Sequence, residues 1–190
     1  MCFDYLCRLQ HDMITLHDKT FELFISEEEI AFAVEQLAKK IADDFADEVP
    51  VFVGVLNGAF MFMAELLKHY PHLCEVAFVQ VQSYQGTESS GTVTNLSGLP
   101  QNLEGKSVIL VEDIVDTGNT IAYLKQEFKA LPIKKLKIAT LFLKPEAYQK
   151  DIRLDYVAIR IPNRFIVGYG LDYNGLGRNL QHMYQLADEN

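Results

Sequence analysis

Tryptophan is absent, cysteine occurs only three times in 190 residues, and no apolar run reaches bilayer length. Each shortage excludes something. Cys2, Cys7 and Cys74 cannot all pair with one another, and their spacing matches no common zinc ligand set. A disulfide scaffold is therefore set aside in favour of a reduced, cytoplasmic setting. A membrane span needs roughly 20 consecutive apolar residues, and the chain offers no such stretch. The opening MCFDYLCRLQHDM carries Asp4 and no basic region ahead of an apolar one, so it makes a poor signal peptide. Residues 1–13 are expected to form a flexible extension, or the first twelve to follow from an upstream start. Positive charge is also scarce: 17 Lys and Arg face 26 Asp and Glu, for a net charge of −9. With no Lys/Arg cluster, that balance argues against nucleic-acid binding, which needs a basic surface to release counterions. A nucleotide-sized ligand held by local dipoles and a metal stays compatible with it.

What is present is ordinary globular material: 49% hydrophobic and 23% charged residues, enough for one packed domain over residues 1–190. ITLHDKTFELFI, from Ile14, is strand-like. Ser26 with Glu29 forms a capping box, and Ile30, Val34, Leu37, Ile41 and Phe45 then recur at helical spacing. VFVGVL (51–56) is a valine-rich run that reads as a strand buried on both faces. A helix follows from Gly58 to Tyr70. Strands are predicted at 75–84, 107–113, 136–144 and 155–162, with a helix from about Thr120. This alternation implies an α/β fold, a mostly parallel doubly wound sheet flanked by helices. In such sheets, ligands bind beyond the carboxyl ends of the strands. Those ends here are LNG (56–58), Ser83-Tyr84, EDIVDTGNT (112–120) and Leu143-Lys144. YQGTESSGTVTNLSGLPQ (84–101) is dense in Gly, Ser, Thr and Asn. It reads as a hairpin connection or as a lid, and its place directly after a strand end favours the lid.

The segment VILVEDIVDTGNT (108–120) raises the sharpest chemical question. Gly118, between Thr117 and Asn119-Thr120, marks a strand-to-helix turn whose outward amides attract phosphate. Yet Glu112, Asp113 and Asp116 crowd the same place, and adjacent acids at the end of a buried strand are costly unless something cationic or hydrogen-bonding meets them.

That segment resembles the phosphoribosyl-pyrophosphate signature of the type I phosphoribosyltransferases. VGVLNGAFMF, SYQGTESSG, LKP and IPNRFIVGYGLDYNGLGRNL resemble, in order, the further landmarks of the hypoxanthine(-guanine) branch, over roughly residues 14–185. The resemblance implies the type I fold, with a small hood subdomain built from the N-terminal segment and about residues 160–190. It implies a Mg²⁺-dependent transfer of the phosphoribosyl group of phosphoribosyl pyrophosphate to a 6-oxopurine base. Glu112 and Asp113 would hold the donor's ribose hydroxyls, directly or through magnesium waters, with Asp172 as a further metal-holding acid. Thr117, Gly118, Asn119 and Thr120 would cradle the 5′-phosphate, and Asp116 would accept the proton from N7 of the purine. Leu56, Asn57 and Gly58 would offer amides to pyrophosphate, often through a cis Leu56–Asn57 peptide, with Arg178 reaching the same group. Asn57 stands where many relatives have lysine, and Arg164 where they often have lysine. Lys144 would donate to the purine's 6-oxygen, favouring a 6-oxo over a 6-amino group. Phe165 would stack on the base, the backbone of Ile166 would meet its edge, and Asp172 would lie near it. Ser83 and Tyr84 would cover the reacting centre as part of the lid.

Two other readings stay open at this point. One is a regulatory RNA-binding protein on the same fold, against which the net charge of −9 counts. The other is transfer to xanthine, uracil or adenine. Relatives are commonly dimers or tetramers, which implies a homodimer or homotetramer here. His69 and His72 lack an obvious third ligand and read as surface residues.

Overall fold

A computed structural model describes residues 13–83 and 93–188. Two sheets organise them. The larger has six strands: β3 (Val51–Leu56), β4 (Glu75–Ser83), β5 (Val93–Asn95), β6 (Ser107–Val115), β7 (Lys135–Leu143) and β8 (Tyr156–Arg160). They lie in the order β5-β4-β3-β6-β7-β8. All neighbours are parallel except β5, which returns antiparallel to β4. The smaller sheet is antiparallel, in the order β1-β2-β10-β9, from β1 (Met13–Leu16), β2 (Lys19–Ile25), β9 (Ile166–Gly168) and β10 (Met183–Leu186). The two ends of the chain thus build the hood.

The helices form where the sequence periodicity asks for them. In α1 (Glu27–Asp44), the Ser26 hydroxyl accepts from the Glu29 amide at 3.2 Å while the Ser26 amide donates to Glu29 Oε2 at 2.9 Å. Such a cap stabilises a helix by about 1 kcal/mol. Its face Ile30, Val34, Leu37 and Ile41 is buried together with Phe62, Met63 and Leu66 of α2 (Phe60–His69). These cover one side of the large sheet, against Phe52, Ile109 and Val111. On the other side Ile121, Leu124 and Phe128 of α3 (Asn119–Lys129) pack with Val51, Val53, Val55 and Leu110. Coverage of both faces is why β3, and β6 over Val108–Val111, read as unbroken apolar runs. Each such burial contributes roughly 1.5–3 kcal/mol.

Two expectations change, and two features add to the sequence reading. Met13, assigned to the extension, is the first residue of β1 and pairs with Glu22; residues 1–12 lie outside the described residues. The strand expected to stop at Asp113 continues to Val115, held by its parallel pairing with β7 up to Leu143. Within 84–101, residues 93–95 return antiparallel to β4 and Leu96 donates to Gln80 O at 2.8 Å, which agrees with the hairpin connection, one of the two readings of that segment. β9 and β10 do not stand out in the sequence as strands of their own.

In the large sheet, β3 leads through α2 to β4 on one side, whereas β6 lies on its other side. The strand order therefore switches between β3 and β6, and the crevice beyond their carboxyl ends is where the fold opens a site.

Candidate active site

The two sides of that crevice meet at Gly58 and Asp113. A methyl group at Gly58 would fall inside the Asp113 carboxylate, so only glycine lets the turn after β3 pass the end of β6. The Leu56–Asn57 peptide that enters this turn is cis. Above it sits the hood: a side chain at Gly170, which has φ +101°, would collide with the Gly58 carbonyl. Arg178 Nη1 donates to Gly170 O at 2.7 Å, and the Gly170 amide donates to Arg178 O at 3.0 Å. Arg178 Nη2 also lies 2.5 Å from Asp172 Oδ1, while the Gly175 amide donates to Asp172 Oδ2 at 2.7 Å. Gly58, Asp113, Asp172 and Arg178 are thereby gathered from three separate parts of the chain.

Glu112 and Asp113 are both buried, at 6% and 8% exposure. Glu112 Oε2 has no hydrogen-bond partner. Burial, and then the neighbouring Asp113, push the Glu112 carboxyl well above the usual carboxylate range. Burial lifts Asp113 to about 6, opposed by the Ile114 amide, its own amide and Arg178, and reinforced by Asp172. Two buried acids with an unsatisfied oxygen form an electrostatically incomplete site. A proton or an added cation would relieve it. Among the described residues no three His, Cys, Asp or Glu side chains converge as a closed metal cage. This donor set suits a hard cation such as Mg²⁺, which takes one or two carboxylates and fills its remaining positions with substrate oxygens and water.

A few residues on, Gly118 at φ +83° ends the turn and serves as N-cap of α3 without any side-chain cap. The first amides of α3 therefore point out of the turn with no intrahelical partner, the arrangement that binds anions. Thr117, Asn119 and Thr120 surround them. Between this turn and β7, Lys144 Nζ donates to Asp116 Oδ2 at 2.9 Å. Lys144 is only 6% exposed, whereas the Asp116 side chain is 45% exposed. A buried ammonium and a half-open carboxylate thus present one donor and one acceptor side by side.

Phe165 leaves 47% of its surface open while its ring packs edge-on against Tyr173 at 5.9 Å and near Phe21 at 6.2 Å. Tyr173 is itself tied to Asp18 by a 2.8 Å hydrogen bond. Ile166 is buried, and its backbone lies in β9 against Gln185. Ser83 ends β4, and Tyr84 lies outside the described residues, as does the stretch 85–92 of the expected lid. Arg164 pairs with Asp188 at 2.7 Å, at the exposed edge of the hood. His69 pairs with Glu65 at 3.1 Å, in keeping with its reading as a surface residue. Tyr148, Lys150, Gly170 and Tyr173 were not singled out in the sequence, although they touch Gly118, Gly58 or Phe165. No local spacing links residue 148 to 118, or 170 to 58.

Residues 25–174 match the family described as phosphoribosyl transferase domain. The chain is 47% identical over 169 residues to the hypoxanthine-guanine phosphoribosyltransferase of Streptococcus agalactiae serotype V, covering 88% of this chain and 94% of that one. It is 45% identical over 169 residues to the enzyme of the same name from Streptococcus thermophilus, with the same coverage. Among solved structures, a hypoxanthine-guanine phosphoribosyltransferase from Bacillus anthracis superposes with a TM-score of 0.82 at 40% identity, over 87% of this chain and 98% of that one. A hypoxanthine phosphoribosyltransferase from Staphylococcus aureus gives 0.83 at 34% identity, over 95% of each chain.

Proposed function

The chain belongs to the family of the phosphoribosyl transferase domain, and we propose that it is a purine salvage enzyme that transfers the phosphoribosyl group of phosphoribosyl pyrophosphate to hypoxanthine, and to guanine as well. The products are the nucleoside monophosphate and pyrophosphate. Identities of 44–47% over nearly the whole chain to hypoxanthine-guanine phosphoribosyltransferases support this reading over the RNA-binding, xanthine and uracil alternatives.

The observation that carries the chemistry is the 2.9 Å pair of Lys144 and Asp116 beside the Gly118 turn. A 6-oxopurine offers an acceptor at O6 next to a proton-bearing N7. Lys144 donates to the first, and Asp116 takes the proton from the second as the ring nitrogen on the opposite side attacks the anomeric carbon. The bond from that carbon to pyrophosphate breaks as the glycosidic bond forms. Phe165 supplies the open ring on which the base stacks, with the Ile166 backbone along its edge. Thr117, Gly118, Asn119 and Thr120 hold the 5′-phosphate. Glu112 and Asp113 hold the ribose hydroxyls; Leu56, Asn57 and Gly58, with Arg178, hold pyrophosphate. Glu112 and Asp113, with Asp172, would hold Mg²⁺, which would supply positive charge to ease pyrophosphate departure. Closure over the oxocarbenium-like transition state keeps water out, a task we assign to Ser83, Tyr84 and the segment after them.

We take the working form to be a cytoplasmic homodimer or homotetramer. No helix among the described residues is long and apolar enough to cross a membrane. The test is a comparison of hypoxanthine, guanine, xanthine and adenine as acceptors for the purified protein. Turnover of hypoxanthine and guanine, with adenine negligible, is expected. Preference for xanthine or adenine would overturn the assignment.

A further inference from the structure

The turn assigned to the 5′-phosphate carries no cation of its own. From Asp116 to Thr120 the side chains are one carboxylate, two hydroxyls and one amide. The basic groups Lys144 and Arg178 are already engaged, with Asp116 and Asp172 respectively. A phosphate ester on the amides around Gly118 would therefore lie near the Asp116 carboxylate, with only the end of α3 among the turn's own groups to meet its charge.

The fold brings one more cation to that turn. After Lys144 and Pro145 the chain doubles back, with the amides of Ala147 and Tyr148 donating to Lys144 O at 3.2 and 3.1 Å. The Gln149 amide then donates to Thr117 O at 3.4 Å, and the Tyr148 hydroxyl to Ile152 O at 2.6 Å. These bonds lay the segment across the phosphate turn. Tyr148 Cε2 and Lys150 Cγ come to 2.5 and 2.9 Å from where a Cβ on Gly118 would sit. Lys150 is half-buried and has no ion-pair partner among the described residues. Three single bonds of about 1.5 Å each separate Cγ from Nζ, so the ammonium can swing from its anchored stem to an anion on the Gly118 amides.

We propose that Lys150 is a donor-binding residue, whose ammonium meets the 5′-phosphate held by the Thr117–Thr120 turn. The inference rests on the reading of that turn as the phosphate site. It makes one short segment serve both ends of the nucleotide, with Lys144 at the base and Lys150 at the phosphate. The phosphate lies away from the reacting carbon and keeps its charge through the reaction. Lys150 should therefore act on binding and not on the chemical step.

Lys150→Met keeps the stem against Gly118 and removes the charge. It should raise the donor KM about three- to tenfold, between an exposed ion pair and a charge-assisted hydrogen bond, and leave kcat and the purine KM near wild type. Lys150→Arg should restore the donor KM, Lys150→Glu should raise it further, and the salt dependence of donor KM should flatten in Lys150→Met. Calorimetric binding of inosine monophosphate, which carries the same 5′-phosphate, should weaken by a similar factor. Unchanged donor KM and nucleotide affinity in Lys150→Met would overturn the proposal. So would a loss that Lys150→Arg fails to restore, which would make the side chain packing alone. Absence of phosphoribosyl transfer by the wild type would strike the functional reading instead, and the calorimetry would still judge Lys150.

Discussion

Lys144 Nζ and Asp116 Oδ2 stand 2.9 Å apart, joining the end of β7 to the turn after β6. The β6–β7 register, with Val115 opposite Leu143, puts residues 116 and 144 side by side at the sheet's carboxyl edge. As an ion pair with one half-exposed partner it adds at most about 1 kcal/mol to stability. Its worth is polarity: a fixed donor beside a fixed acceptor.

Lys144→Met removes the donor. Losing one charge-assisted hydrogen bond to O6, about 1.5–3 kcal/mol, should shrink the preference for hypoxanthine over adenine by about tenfold or more. The donor KM should move little, because the donor touches other residues. Competition kinetics with the two bases would decide it. Unchanged discrimination with normal binding of both substrates would reduce Lys144 to a structural lysine.

Asp113 gives a stability prediction for the protein without metal or donor. Its carboxyl, ordinarily near 3.8, is lifted to about 6 chiefly by burial. The fold therefore favours the protonated form. Stability from this group is present below about pH 4 and is lost as pH rises through about 6. Asp113→Asn should accordingly stabilise the ligand-free protein at pH 7 by about 1–3 kcal/mol, a gain that shrinks as pH falls toward 5, while turnover drops. Denaturant midpoints at the two pH values measure this. Equal stability of variant and wild type at pH 7 would mean the carboxylate is not held against its will.

Gly58→Ala tests the crossing of the two strand ends. Its methyl group cannot coexist with Asp113 as placed, so the turn or the acid must shift. A displacement of this kind in a catalytic turn can cost about 10² in rate. Wild-type kcat/KM in Gly58→Ala would show that the crevice accommodates the methyl group without moving Asp113.

Chelation addresses the orphaned Glu112 oxygen. Excess EDTA should abolish turnover and added Mg²⁺ restore it, since the departing pyrophosphate needs its charge neutralised. Full activity in excess chelator would refute the metal.

The sequence made some of this visible and hid the rest for physical reasons. The capping box at Ser26 and the valine run at 51–56 are local signals, and both elements formed where expected. β9 and β10 are three and four residues long, with partners far away in the chain, so neither has room for a period. Glu112 and Asp113 looked like the end of a strand because charge seldom sits in one; pairing with β7 carries the strand past them. DTGNT marked a strand-to-helix turn, and the turn is there, with Gly118 at φ +83° as the N-cap of α3. The approach of Tyr148 and Lys150 to Gly118, or of Gly170 to Gly58, depends on loops meeting in space, and no residue spacing encodes that.

The most direct test is the kinetic split of Asp116→Asn. The amide keeps the shape and its place beside Lys144 but cannot accept the N7 proton. The kcat should fall by about 10²–10⁴, the usual worth of a general base, while the donor KM changes far less. Thr120→Val should show the reverse, weakening donor binding through a lost hydroxyl contact. A raised donor KM with intact kcat in Asp116→Asn would contradict the account and make Asp116 part of the phosphate cradle.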